Sequence, residues 1–225
     1  MNPWINIALP DYEGHMALPT IGQAAVLAEE FRKAVATTQP RTVALLGCAG
    51  GNGLDALCGG NVERIVCVDI NRDYLAVLQQ RYQARLANLA CHACELEVFR
   101  SPDPVDLVFG GLVFEYARLE EAVESVALLL KPGGDFHALL QLPAEGMATV
   151  SPSPYAEALA SVGVFFRYVD ANEFIRLALK HGLLFMGRQL VELPSGKSFA
   201  VVRFRRARSD LSNGRPARVE RPSGP

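Results

Sequence analysis

The stretch VALLGCAGGNGLDAL, residues 43–57, sets the tightest limit on what this chain can fold into. Its start, TVALL at 42–46, is a continuous apolar, β-branched run, the composition of a central parallel strand buried on both faces. Glycines follow at 47, 50, 51 and 53, where the backbone must turn sharply or let something approach without a Cβ in the way. Apolar residues then resume at helical spacing, so a short helix is expected from about Asn52. Strand, glycine turn and helix in that order form the opening unit of an open α/β sheet.

The alternation continues. RIVCVDI (64–70) and VDLVFGG (105–111) read as strands, with a weaker one near 90–93 and another in DFHALLQL (135–142). Asn71 can cap a helix whose Tyr74, Leu75, Leu78 and Tyr82 share one face, and LEEAVESVALLL (119–130) makes a second, closed by KPGG. Ahead of the first strand, Thr20 and Gln23 stand at capping-box spacing before an apolar stripe of Ile21, Ala24, Leu27, Ala28, Phe31 and Val35. Such order predicts a doubly wound parallel sheet with right-handed crossovers and helices on both faces. From 143 to 170 the prolines and aromatics suggest a lid-like insertion with a short helix around 155–161. A helix at 171–181 then ends at Gly182, and LLFMGRQLVEL and SFAVVRFR flank PSG as two neighbouring strands. One domain over 20–205 is expected, with a segment 1–19 before it and a polar Arg/Pro/Gly tail at 206–225 expected to be disordered.

Charge and cysteines narrow the partners. The net charge is −2, and the six arginines from Arg205 onward face only Asp210 and Glu220, so the body is more acidic than the total. Nucleic acid is not expected as a partner. The five cysteines, at 48, 58, 67, 91 and 94, are odd in number and lie in apolar segments, which reads as reduced thiols. CHAC (91–94) lacks a second Cys/His pair, so no metal is expected. No run approaches the roughly 18 apolar residues of a membrane helix, and MNPWINIALPDYEGHM has no basic start, so the expectation is a cytoplasmic protein without a membrane partner.

Two ligands fit the glycine turn from the residues alone. Gly51, Gly53 and Ala56 spell GxGxxA, and Asp69 ends the next strand at the ribose-binding distance of a dinucleotide site, which makes an NAD(P)-dependent oxidoreductase the rival reading. That fingerprint starts four residues past the strand end, where helix amides should meet the pyrophosphate. The spacing that starts at the strand end is Gly47, Ala49, Gly51, a wider turn suited to a ligand without phosphate, such as the methionine end of S-adenosylmethionine.

VALLGCAGGNG, VCVDI, VDLVFGG and LLLKPGGDFHALL, in this order and spacing, resemble the motif set of class I S-adenosylmethionine-dependent methyltransferases over residues 41–142. The resemblance implies a seven-stranded Rossmann-like sheet, mostly parallel, with one antiparallel strand near the C-terminus. It implies S-adenosylmethionine as cofactor, with Gly47, Cys48, Ala49 and Gly51 under its methionine and sugar. Asp69 would lie on the ribose hydroxyls, Ile70 on the adenine face, Cys94 and Glu95 near the adenine amino group, and Gly110 beside the cofactor. Two departures stand out: Leu45 occupies a position that is usually acidic, and FGGLVF lacks the D/N-P-P-aromatic sequence of enzymes that hold a flipped base. A small-molecule acceptor is therefore expected.

Methyl transfer needs in-line placement, exclusion of water and sometimes a base. The candidates are Tyr12 and His15 in DYEGHM, where segment 1–19 would cover the cofactor, and Glu115 and Tyr116 in FEYA. Gly111, Tyr155 and Arg167 are the candidates for the acceptor side and lid. His137 reads as a core histidine, and a non-catalytic binding protein on the same fold remains a further alternative.

Overall fold

The computed structural model describes residues 2–208 of the 225, so the expected tail lies, from 209 on, outside the described residues. Two helices come first, α1 (Leu9–Ala17) and α2 (Gln23–Thr38). Then follow β1 (Thr42–Leu46), β2 (Arg64–Asp69), α3 (Arg72–Tyr82), β3 (Leu89–Ala93), β4 (Val105–Gly111) and α4 (Leu119–Leu129). The remainder is β5 (Leu130–Gln141), α5 (Ala160–Phe165), α6 (Ala171–Lys180), β6 (Leu183–Glu192) and β7 (Ser198–Arg206).

All seven strands join one sheet in the order β3-β2-β1-β4-β5-β7-β6. Strands β1 to β5 pair in parallel, and β7 runs antiparallel to both of its neighbours. Alternate residues of each strand face opposite layers, which is why the buried stretches of the central strands are apolar on both faces. Ala44, Leu46, Val66, Val68, Val108 and Phe136 pack with Ala122, Val126 and Phe174 under α4 and α6. Val43, Leu45, Ile65, Cys67 and Leu107 pack with Leu27, Phe31, Leu75 and Leu78 under α2 and α3. Leu45 is thus a core residue, 5% exposed, which explains its apolar character.

Three local expectations are corrected. Helix α2 starts at Gln23 behind a left-handed Gly22 (φ 70°), with no side-chain cap, so Thr20 and Gln23 form no capping box. A glycine that already reverses the chain leaves no extended residue to place an Oγ over the first turn. No α-helix follows the glycine turn either; only a 3-10 turn, Leu54–Leu57, stands there. KPGG, finally, lies inside β5 as an irregularity: Leu130 pairs with Val105, but the next pairing is Asp135 with Leu107. The strand bulges around Gly133 (φ 82°) rather than beginning after a loop.

From β1 the chain winds outward to β3 and returns to β4 on the other side of β1. The carboxyl ends of β1 and β4 therefore splay their loops in opposite directions, leaving a crevice at the switch point where ligands of open α/β sheets bind.

Candidate functional site

A cavity of about 500 Å³ fills that crevice, within the usual range for a small-molecule site. Its floor comes from the strand ends: Gly47 and Ala49 after β1, Asp69 and Ile70 after β2, Cys94 and Glu95 after β3, Gly111 and Val113 after β4. Gly47 takes a left-handed φ of 63°, and a Cβ there would lie 2.9 Å from Val113 Cβ, so glycine is required by both conformation and space.

Asp69 is tied down at both oxygens. Oδ2 accepts the Ala49 amide at 2.8 Å and Oδ1 accepts the Asn71 amide at 2.9 Å. A carboxylate has about four lone-pair sites, so acceptor capacity remains on each oxygen for two further donors. Burial pushes its pKa up, against the pull of those amides, and it pairs with no cation among the described residues. Asn71 beside it does three things. Its Oδ1 caps α3 by accepting from the Asp73 and Tyr74 amides (3.0 and 3.2 Å), its amide holds Asp69, and its Nδ2 donates to the Trp4 carbonyl at 2.9 Å.

That last bond places the N-terminal segment over the cavity. Trp4 meets Tyr12 and Tyr116 edge-on (centroids 5.5 and 5.2 Å), Tyr12 stacks near Tyr74 (6.0 Å), and Tyr116 leads to Phe166 (5.6 Å). A nearly continuous aromatic wall results, contributed by segments far apart in the chain. Burial, with the nearby Asp69 charge, raises the Tyr12 phenol well above its ordinary value, so it stays protonated.

Two residues past Val113 of the floor, Glu115 is 1% exposed. Oε1 accepts the Gln141 amide at 2.7 Å, whereas Oε2 is buried with no partner. Desolvation lifts its pKa to about 7, over the lowering effect of the amide bonds. His15, 4% exposed, shares a 2.8 Å hydrogen bond between Nδ1 and Ser153 Oγ. Burial and the Lys197 charge hold its pKa below the ordinary value, so the ring is neutral at neutral pH. Segment 149–167 closes the top: Gln141 Nε2 and Lys197 Nζ both donate to the Thr149 carbonyl (3.2 and 2.6 Å). Lys197 is 2% exposed, and burial lowers its pKa to about 8. Helix α1 meets this segment at Gly14, where a Cβ would sit 2.4 Å from the Tyr155 ring.

Of the residues expected from sequence, Tyr12, His15, Gly47, Ala49, Asp69, Ile70, Cys94, Glu95, Gly111, Glu115, Tyr116 and Arg167 line one cavity, with Glu95 and Arg167 at its exposed rim. Four do not line it. Cys48 is buried in the α2/α3 layer beside Cys67. Gly51 (φ 95°) faces the Tyr82 ring, 2.7 Å from where its Cβ would be, and Gly110 faces Phe114 at 2.9 Å. Tyr155 packs on Gly14. These glycines admit protein rather than ligand. Trp4, Gln23, Tyr74, Gln141, Thr149 and Phe166 also line the cavity and were not foreseen. Asn71, read from sequence only as a helix cap, also holds Trp4 in place through its Nδ2. Among the described residues no group of three His, Cys, Asp or Glu side chains is placed to hold a metal ion, and no helix is long and apolar enough to cross a membrane.

The sheet order is that of the Rossmann-like methyltransferase fold, and residues 43–134 match the family described as a methyltransferase domain. The N-methyltransferase NodS from Bradyrhizobium japonicum WM9, in complex with S-adenosyl-L-homocysteine, superposes with a TM-score of 0.63 at 15% identity, covering 92% of this chain and 99% of that one. The cyclase SpnF superposes at 0.64 with 11% identity, covering 83% of each chain. A structure concerned with conversion of a disulfide bond into a thioacetal group during echinomycin biosynthesis gives 0.57 at 17% identity, covering 81% of this chain and 83% of that one. No curated protein matches the chain in sequence.

Proposed function

We propose that the protein transfers a methyl group from S-adenosylmethionine to a small organic acceptor bound in the same cavity. The observation that carries this reading is Asp69: an unpaired carboxylate with spare acceptor capacity on both oxygens, facing the cavity beside left-handed Gly47. That arrangement suits the two hydroxyls of a ribose diol.

The same region suits a dinucleotide poorly. A pyrophosphate needs helix N-terminal amides, and the turn after β1 leads only into four residues of 3-10 helix. Gly51 and Gly53 of the GxGxxA pattern pack against Tyr82 and against Ala28 with Phe31. The turn therefore suits a nucleoside without phosphate better than a dinucleotide.

When bound, the cofactor supplies a methyl group activated on a sulfonium. The protein's own residues do the rest. Asp69 and Ile70 orient the nucleoside, and Gly47 and Ala49 let it lie close to the backbone. Trp4, Tyr12 and Tyr116 exclude water and offer aromatic faces to positive charge. Glu115 Oε2 and the neutral His15 ring are the candidate proton acceptors on the acceptor side.

Calorimetry with S-adenosylhomocysteine and with NAD(H) tests the cofactor: binding of the first alone is expected, and binding of NAD(H) alone refutes it. SpnF is named a cyclase, so likeness of fold does not decide chemistry. Incubation with methyl-labelled cofactor and pooled metabolites is expected to move label; saturable cofactor binding without transfer would make the protein a binding module.

A further inference from the structure

We propose that the acceptor is an amine: a small molecule with an apolar or aromatic body whose ammonium group is held by Glu115 against the aromatic wall. This rests on the methyltransferase reading above and adds the substrate class.

Three observations point the same way. Glu115 Oε2 is a buried acceptor with no partner among the described residues, on a side chain lining the cavity. Leaving such an oxygen unmade is costly, so it calls for a donor from outside the chain. The terminal torsion of a glutamate is broad, and a small rotation turns Oε2 toward the cavity without moving backbone. Next to it, Tyr116 stands between Trp4 and Phe166, a set of rings that attracts a cation.

The third observation concerns the cations near the cavity. Arg118 is shared among Glu95, Glu97 and Glu121. Arg167 Nη1 donates to the carbonyls of Val164, Phe165 and Phe166. Lys197 is not a lining residue and donates to the Thr149 carbonyl. Inside the cavity a carboxylate or phosphate on the acceptor would thus meet Asp69 and Glu115, while Arg167, which has no carboxylate partner among the described residues, stands at the exposed rim. A hydroxyl would satisfy Oε2 but make no use of the aromatic faces.

The chemistry balances. The ammonium gives one proton to the Glu115 carboxylate and exposes its lone pair. That pair forms the N–C bond as the S–C bond breaks with its electrons left on sulfur. The product leaves as the methylated ammonium, and the Glu115 proton passes to water. A carboxyl with a pKa near 7 in the empty cavity can both take and release that proton at neutral pH.

The test uses three probes of one shape, 2-phenylethylamine, 2-phenylethanol and 3-phenylpropanoate, titrated into the full chain saturated with S-adenosylhomocysteine. The amine is expected to bind at millimolar concentration or better, the alcohol more weakly and the propanoate not at all. Glu115→Gln should weaken the amine by about tenfold, the loss of one charge-assisted hydrogen bond, and leave the alcohol within about twofold. Tyr116→Leu should likewise weaken the amine more than the alcohol, which keeps the test alive if the Glu115 variant does not fold. Absence of amine binding, equal or tighter binding of either other probe, or an amine affinity unchanged in both variants overturns the proposal. Failure of S-adenosylhomocysteine to bind in the first titration overturns the methyltransferase reading instead.

Discussion

Replacing Asn71 separates the two jobs of one side chain. Asn71→Ala removes the cap of α3, worth about 1 kcal/mol, and the bond from Nδ2 to the Trp4 carbonyl, worth about another 1 kcal/mol. Asn71→Ser keeps a capping oxygen, since serine caps as well as asparagine, but is too short to reach Trp4. For a domain of this size each kcal/mol lowers Tm by about 2–4 °C. The alanine variant should therefore fall by about 4–8 °C and the serine variant by about half as much. Trp4 is the sole tryptophan of the chain, so its fluorescence reports the N-terminal cover directly. In both variants its emission should shift to the red as it leaves Tyr12 and Tyr116, and affinity for S-adenosylhomocysteine should drop. If Asn71→Ser loses as much Tm as the alanine variant while Trp4 emission and ligand affinity stay at wild-type values, the strap is not a strap and Asn71 is only a helix cap.

Glu115 imposes a pH dependence. Its folded pKa of about 7 lies above the usual carboxylate range, so between the two values the folded state holds a proton that the unfolded state has lost. Stability therefore falls as pH rises from about 4.5 to 7, by about 3 kcal/mol. Glu115→Gln should flatten that slope in thermal melts at pH 5 and pH 8; an unchanged slope contradicts the burial argument. Asp69→Asn turns an N–H donor toward one of two backbone amides and weakens the grip on a diol, so S-adenosylhomocysteine affinity should fall by about 10–100-fold in calorimetry. Gly51→Ala should lower Tm and leave ligand affinity per folded molecule unchanged, whereas Gly47→Ala should lower both, because only Gly47 faces the cavity. Equal effects on affinity would restore Gly51 to the site.

The strands were readable because parallel strands buried on both faces must be largely apolar, as the VALL of TVALL and the LVF of VDLVF are. Asp69 was readable because a lone acid ends such a run. The glycines were only half readable. A glycine reports that a Cβ has no room, not what fills the room, and at Gly51 and Gly110 the occupants are Tyr82 and Phe114. Trp4, Gln141 and Phe166 escaped because each enters the cavity from an element end or an irregular segment, where no periodicity marks an inward face. The capping box at Thr20 misled because spacing says nothing of the backbone conformation at Gly22.

The contact between Gly14 and Tyr155 adds to a small hydrophobic cluster of Ile7, Leu159 and Val162 that joins the same two pieces of chain. With the His15–Ser153 bond beside it, the N-terminal helix and the 149–167 segment are buttoned to each other above the occupants. Neither flap can lift alone without undoing that seam. On the proposed methyltransferase reading, exchange of spent nucleoside and of product would share one doorway and one opening event, and a bulkier residue at position 14 would hold the door ajar for both.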